Sequence, residues 1–264
     1  MNQMIRLLIA AVLGLALLPP VLAQARDDKP KPNAAATLQQ QIDELKAGQQ
    51  QILKELQEIK KILQSFQEAA NQQTPPEITL PVSGEPFKGS PSARVAIIEY
   101  SDYQCPFCGE YSREVFPHLD SDYVKSGKIR YYFRDLPLPA HPQALPAALA
   151  SRCAGEQGKF WEMHERLFAN QNALGPDALK QHAAAVGLDA ARFNECLSSG
   201  KYRNAVARSM ASAERMHIDG TPAFLIGVVD PNGEVVRVAQ VMLGAKDYQE
   251  FKAVLDGALA ATTK

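Results

Sequence analysis

The sequence is poor in the residues that usually announce a metal or redox cofactor: five histidines, four cysteines and one tryptophan in 264 residues. The histidines, His118, His141, His164, His182 and His217, are scattered and form no metal-ligand pattern. No Gly-rich phosphate loop, Ser-His-Asp order or paired-carboxylate motif stands out, so neither a metal nor a cofactor is implied. Charge of one sign is also lacking. Lys and Arg total 28 against 29 for Asp and Glu, which argues against nucleic acid or anionic lipid as the main partner. No apolar run reaches the roughly 20 residues that span hydrocarbon. With 46% apolar and 22% charged residues, neither wholesale disorder nor a multi-span membrane protein fits. Four cysteines are too few for a disulfide-dense miniature scaffold, but enough for two pairs, or for one active pair and one staple.

The compartment decides how to read them. Arg6 precedes an apolar run from Leu7 to Leu18, which Pro19 and Pro20 break before Ala23-Gln24-Ala25. A basic residue, an apolar core of about a dozen residues and an A-x-A site make a secretory signal peptide over 1–25. The other reading, an uncleaved membrane anchor, would need a longer run. No Cys follows to carry a lipid anchor. Removal of the segment takes Arg6 with it and leaves 27 basic against 29 acidic residues, a net charge of −2. The chain is expected in the periplasm or otherwise exported, where disulfides persist.

Residues 26–36 are polar and Pro-bearing, a disordered lead-in. Thr37 and Gln40 then read as a capping box that opens a helix over 37–70. Leu38, Ile42, Leu45, Gln49, Ile52, Leu56, Ile59, Leu63 and Phe66 step by alternating fours and threes, with only Gln49 polar. This period of 3.5 favours a coiled coil, here a homo-oligomer through residues 38–66, over a single amphipathic helix lying on the protein's own body. Glu55 and Lys60 fall where a parallel partner can pair them, and Leu53 and Ile62 widen the stripe. A dimer and a trimer both satisfy the pattern. Asn71-Gln-Gln-Thr-Pro-Pro76 is a linker over 71–76.

The remainder, 77–264, reads as one α/β domain. Glu77 to Pro81 is a short edge strand, and Gly84 to Pro91 a loop. Val95 to Tyr100 is a continuous apolar run with one acid, the pattern of a buried central strand. A helix from about Pro106 to Lys125 precedes an alternating strand, Lys128 to Phe133. From about 140 to 217 the texture is Ala-rich and helical, four or five helices with no strand, and Phe160, Trp161 and Phe168 read as its core. Strands return at Ala223 to Ile226 and Glu234 to Val241, joined by a hairpin turn at Asp230-Pro-Asn-Gly233, before a last helix from about Lys246 to Ala258.

The chemistry sits at Cys105-Pro-Phe-Cys108, at a strand-to-helix junction. Cys105 is expected as the first helical residue, where free N–H groups and the helix dipole favour a thiolate, and Pro106 suits that first turn. Cys108, one turn on, can attack a mixed disulfide at Cys105 and release a substrate. Half of a zinc site is the competing reading, but no second Cys-x-x-Cys completes it. Glu99, six residues before Cys105, is a candidate proton acceptor for Cys108 if the strand buries it, and a plain strand residue if it lies at a solvent edge. Gly220-Thr221-Pro222 leads into a late strand, a place where some prolines are cis. His141 is expected to begin a helix at Ala140-His-Pro-Gln; after a strand end it can approach the active site, but it is read as a cap or loop contact rather than a catalytic group.

These motifs, with Asp102-Tyr-Gln-Cys-Pro-Phe-Cys108 and Gly158-Lys-Phe-Trp-Glu-Met-His164, resemble the thioredoxin-fold family of bacterial disulfide-bond protein A (DsbA) over roughly Glu77 to Leu259. The resemblance implies a thioredoxin fold with an inserted all-α subdomain, here preceded by a long N-terminal helix. It implies Cys105 as nucleophile, Cys108 as resolving thiol, Pro222 as a cis-proline facing them, Thr221 as a contact for substrate backbone, and Glu99 as the family's buried acid. Phe107 stands where the strongest oxidants of the family carry His, so Cys105 is expected to ionise between DsbA's pKa of about 3.5 and thioredoxin's of about 7. Thr221 is more usual in isomerase relatives, and the stalk resembles their oligomerisation segments in role. The implied activity is an exported thiol–disulfide oxidoreductase that forms or isomerises disulfides. Its expected partners are unfolded or misoxidised exported proteins and a membrane redox protein. Cys153 and Cys196, on separate predicted helices in an oxidising compartment, are expected to form a structural disulfide worth about 4 kcal/mol by loop-closure entropy, the other readings being two buried free thiols or a second redox pair. A different class of function, an oligomeric chaperone or scaffold with purely structural cysteines, is the alternative.

Overall fold

The computed structural model describes residues 34–72 and 78–262. The expected signal peptide, most of the lead-in, and the linker from residue 73 to 76 lie outside the described residues. The chain divides into two units, Met1–Gln73 and Thr74–Lys264.

The first unit holds helix α1 (Ala34–Gln72), 39 residues and about 58 Å long. It begins three residues before Thr37, because Ala34, Ala35 and Ala36 carry the strongest helix propensity and extend the helix past the expected cap. Exposed Gln-to-acid pairs four apart brace it, Gln39–Asp43 at 3.1 Å and Gln51–Glu55 at 3.3 Å. Leu38, Leu45, Ile52, Leu56, Ile59 and Leu63 are all exposed along it.

The second unit is built on a sheet of six strands in the order β1-β6-β5-β3-β4-β2. These are β1 (Thr79–Pro81), β2 (Phe87–Gly89), β3 (Val95–Ser101), β4 (Ile129–Asp135), β5 (Ala223–Val229) and β6 (Val235–Leu243). Only β3 and β4 are parallel; the other pairings are antiparallel. Residues 95 to 101 are buried at every position, as the apolar run predicts. Side chains of Val95 and Ile97 enter one core with Phe224, Phe251 and Leu255, while Ala96, Ile98 and Tyr100 enter the opposite one with Leu225 and Val236.

Two strand expectations are corrected. β4 is buried on both faces instead of alternating, because its charged residues are paired inside. Arg130 Nε donates to Ala93 O at 3.0 Å, Arg134 Nη1 to Tyr100 Oη at 2.7 Å, and Asp135 accepts from Arg152 at 2.5 Å. The expected loop 84–91 contains β2, three residues that pair with β4 and are too short to show a sequence period.

The expected helix 106–125 is helical over 106–124 but not uniformly so. α2 (Pro106–Glu110) passes into a π-helical turn, Tyr111–Val115, then α3 (Phe116–Leu119) and a second π turn, Asp120–Val124. Phe116 N–H reaches back five residues to Tyr111 O, and Pro117, which has no N–H, follows. The insert is five helices: α4 (Ala144–Gly155), α5 (Phe160–Ala169), α6 (Pro176–Ala185), α7 (Ala190–Ser199) and α8 (Arg203–Arg215). A disulfide from Cys153 in α4 to Cys196 in α7 closes a 43-residue separation. Phe160, Leu167, Phe168 and Phe193 fill the insert, as their spacing predicts, with Trp161 packed at its edge. After the Asp230–Gly233 turn, where Gly233 has φ 78°, α9 (Tyr248–Thr262) closes the unit.

Candidate active site

β3 ends at Ser101, and the next four residues turn the chain so that Cys105 caps α2. Cys105 is the N-cap, in extended conformation at φ −69° and ψ 124°, and Pro106 takes the first helical position. This moves the nucleophile one place before the expected position, outside the helix but still facing its free N–H groups. Cys105 and Cys108 are both free thiols and both buried. Phe107 between them is exposed. From across the fold, the Thr221–Pro222 peptide is cis and Thr221 O lies 3.4 Å from Cys105 Sγ. The structure therefore brings Cys105, Cys108, Thr221 and Pro222 to one place.

The two sulfurs differ in proton affinity. A hydrogen bond from the Cys108 thiol, opposed by burial and helped by Thr221 and the N–H groups of Cys108 and Phe107, lowers Cys105 to about 5. Cys108 is pushed well above the ordinary thiol range by burial first, then by its bond to Cys105 and the charges of Cys105 and Glu99. One thiolate and one thiol thus coexist at neutral pH.

Glu99 is 2% exposed on β3, which excludes the solvent-edge reading. Burial raises its carboxyl to about 7, opposed first by the hydrogen bond from Tyr131. Tyr131 Oη donates to Oε2 at 2.5 Å.

Sequence reasoning missed the residues that hold the Cys105 turn. Asp102, fully buried, accepts from Gln104 N at 2.7 Å and Cys105 N at 3.2 Å through Oδ1, and from Leu138 N at 2.8 Å through Oδ2. An Asp three residues before a helix cap is the available signal for such an Asx turn. Gln171 donates to Tyr103 O at 3.0 Å and Cys105 O at 2.8 Å from the loop after α5, and no local pattern marks it. His141 precedes the helix, which starts at Ala144, and its Nδ1 meets Asp102 Oδ2 at 2.8 Å. His164 is buried among Phe133, Trp161 and Phe168, and burial lowers its pKa to about 3, so it is a neutral core residue. Among the described residues no group of three or more His, Cys, Asp or Glu is placed to hold a metal.

Residues 82–256 match the family model described as Thioredoxin. The chain belongs to the thioredoxin family. Among solved thioredoxin-fold structures it is similar to alpha-DsbA1 of Wolbachia pipientis, 26% identical with a TM-score of 0.62, over 69% of this chain and 94% of that one. It also shares its fold with oxidised BdbD of Bacillus subtilis, 23% identical with a TM-score of 0.60, over 70% and 98% of the two chains. The thioredoxin fold with an all-α insert that the motifs implied is thus the fold of this chain. Among curated proteins, 140 residues are 39% identical to part of the Na(+)/H(+) antiporter NhaA 3 of Salinispora tropica, covering 53% of this chain. The match spans about a fifth of that relative's length, 21%.

Proposed function

We propose that this chain is an exported thiol–disulfide oxidoreductase that forms and isomerises disulfides in folding proteins. The observation that carries the reading is the split between a Cys105 sulfur ionising near 5 and a Cys108 thiol held protonated beside it. In the reduced form, Cys105 thiolate attacks a substrate disulfide, its new S–S bond forms as the substrate's breaks, and one substrate sulfur leaves as thiolate. Cys108 then loses its proton to Glu99 and attacks Cys105 Sγ, which releases the second substrate thiolate. Run in reverse, two substrate thiols are oxidised and the Cys105–Cys108 pair is reduced, so the pair needs a redox partner at the membrane to reset it. Thr221 carbonyl and the cis-proline beside Cys105 suit the backbone of an extended substrate. The side chain of Phe107 adds an exposed apolar contact and no hydrogen bond to the thiolate.

Equilibration in glutathione buffers tests the direction of use. A potential near about −120 mV marks a donor of disulfides, and one near about −200 mV or below marks a shuffler. With Cys105 near 5, between DsbA and thioredoxin, the expected value lies between these two. Absence of any Cys105–Cys108 disulfide overturns the reading.

The stalk supports assembly into a dimer or trimer through residues 38–66. Exposed leucines and isoleucines at 3.5-residue spacing along α1 favour it, since such a face is stable in water when another copy covers it. In sedimentation the chain from residue 26 is expected to be oligomeric and one starting at Glu77 monomeric. The same mass per particle from both removes the coiled-coil assignment. No described helix is long and apolar enough to cross a membrane, which is compatible with an exported protein.

A further inference from the structure

Glu99 is held by a partner that the exchange chemistry leaves unused. Its Oε2 accepts from Tyr131 Oη, while Oε1 is buried with no hydrogen-bond partner. Tyr131 Oη in turn lies 2.9 Å from Tyr111 Oη. With the Tyr131 proton committed to the carboxylate, Tyr111 must donate to Tyr131, so the two phenols form a one-way chain that ends on Oε2. Both rings are fully enclosed, Tyr111 against Phe116, Phe224 and Phe251, and Tyr131 against Phe116, so neither hydroxyl has an alternative partner in water.

We infer that Tyr131, backed by Tyr111, is a positioning residue for the proton acceptor: it pins Oε2 and keeps Oε1 open for the proton that Cys108 loses on attacking a mixed disulfide. The inference rests on the proposed exchange reaction. In that step Cys108 S–H passes its proton to Oε1, the Cys108–Cys105 bond forms, and the bond from Cys105 to the substrate sulfur breaks with the electron pair leaving on that sulfur. The Tyr131 bond survives protonation at Oε1 but is stronger to the carboxylate, so it holds down the proton affinity that burial drives up. The other groups facing Glu99 are Cys108 from α2, Tyr103 from the turn before it, and Ser101 on its own strand, while its neighbour across β5 is Phe224. Tyr103, Tyr111 and Tyr131 are all raised by burial and stay neutral. In the mixed disulfide Cys105 carries no proton and Cys108 stays protonated, so between pH 5 and 9 Glu99 is the group of this cluster that changes charge.

The test is single-turnover resolution of a Cys105–glutathione mixed disulfide on the full chain, followed as glutathione release across that pH range. Tyr131→Phe is expected to move the midpoint of the profile upward by about one pH unit, the worth of one hydrogen bond to a charged group, and to slow release at pH 7 roughly fivefold. Cys105 ionisation, read from thiolate absorbance, is expected to stay in place. Tyr111→Phe is expected to shift the midpoint in the same direction by less, because Tyr131 keeps its own bond to Glu99. In a Glu99→Gln background, Tyr131→Phe is expected to shift nothing further. An unmoved midpoint in both tyrosine variants overturns the inference, as does an equal slowing at every pH, which is the mark of packing damage alone. Failure of the unsubstituted protein to release glutathione at any pH sinks the exchange reading itself, and so is distinguishable.

Discussion

Cys105→Ser is expected to abolish thiol–disulfide exchange, whereas Cys108→Ser is expected to stall it halfway. The two sulfurs sit one helical turn apart but have opposite surroundings. Cys105 caps α2 and is lowered to about 5 by the Cys108 thiol, Thr221 and two backbone N–H groups. Cys108 is buried inside the helix and held protonated. A serine at 105 removes the only thiolate of the pair, and the remaining thiol lies too deep and too basic to replace it. A serine at 108 leaves the attack intact and removes the group that resolves it, so a mixed disulfide with a cysteine-containing peptide accumulates. Mass spectrometry of the non-reduced products reads both outcomes. Stable adducts with Cys105→Ser and none with Cys108→Ser would exchange the roles of the two residues. Undiminished exchange in both variants would leave the cysteines structural and favour a chaperone or scaffold.

Glu99→Gln is expected to make the reduced protein more stable by about 3 kcal/mol at pH 8 and no more stable at pH 4, at roughly 1.4 kcal/mol for each pH unit that separates the folded and unfolded pKa values. The carboxyl is raised from 4.5 to about 7 by burial. Between those values the folded protein holds a proton that the unfolded chain has released, so stability falls as pH rises through this window and the loss is complete above it. Glutamine keeps an oxygen for Tyr131 to donate to and never ionises, so it escapes the loss. Urea unfolding at the two pH values measures the difference. A variant less stable than the parent at pH 8 would mean that the carboxylate is welcomed in its site rather than tolerated. The same substitution is expected to slow resolution by Cys108, so that the proposed role of Glu99 in the exchange would come at a cost in stability.

The sequence exposes those features whose cause is local. Cys105-Pro-Phe-Cys108 is readable because the capping cysteine, the first-turn proline and the resolving thiol lie within four residues. The central strand is readable because burial on both faces leaves Val95 to Tyr100 almost wholly apolar. The insert is readable because helical spacing repeats in Phe160, Leu167 and Phe168 without help from elsewhere. What escaped depends on distant partners. β2 is three residues that become a strand only through pairing with β4. The expected strand Lys128 to Phe133 reads as half-exposed because Arg130 sits in it, and the burial of Arg130, as of Arg134 and Asp135 at the far end of β4, rests on Ala93, Tyr100 and Arg152, none of them visible from the strand itself. Gln171 reaches Cys105 O from 66 positions away. Asp102 lay in a quoted motif, but its second oxygen finds Leu138 and His141 only after the sheet has formed.

The π turn at Tyr111–Val115 bears on how this site is to be recognised elsewhere. In an α-helix residues four apart stand one above the other, and residues five apart diverge round the cylinder. The wider turn brings Tyr111 and Phe116, five apart, to the same side, where one meets Tyr131 through its hydroxyl and the other through its ring. A relative shorter by one residue between Tyr111 and Phe116 would keep the cysteine motif intact and set the tyrosine and the phenylalanine four apart in a plain α turn, still on the same side. The π turn thus takes up one extra residue between the active-site cysteines and Pro117 without moving tyrosine or ring off the sheet, so the two tyrosines, and not the length of the segment between the cysteines and Pro117, mark the buried phenol chain.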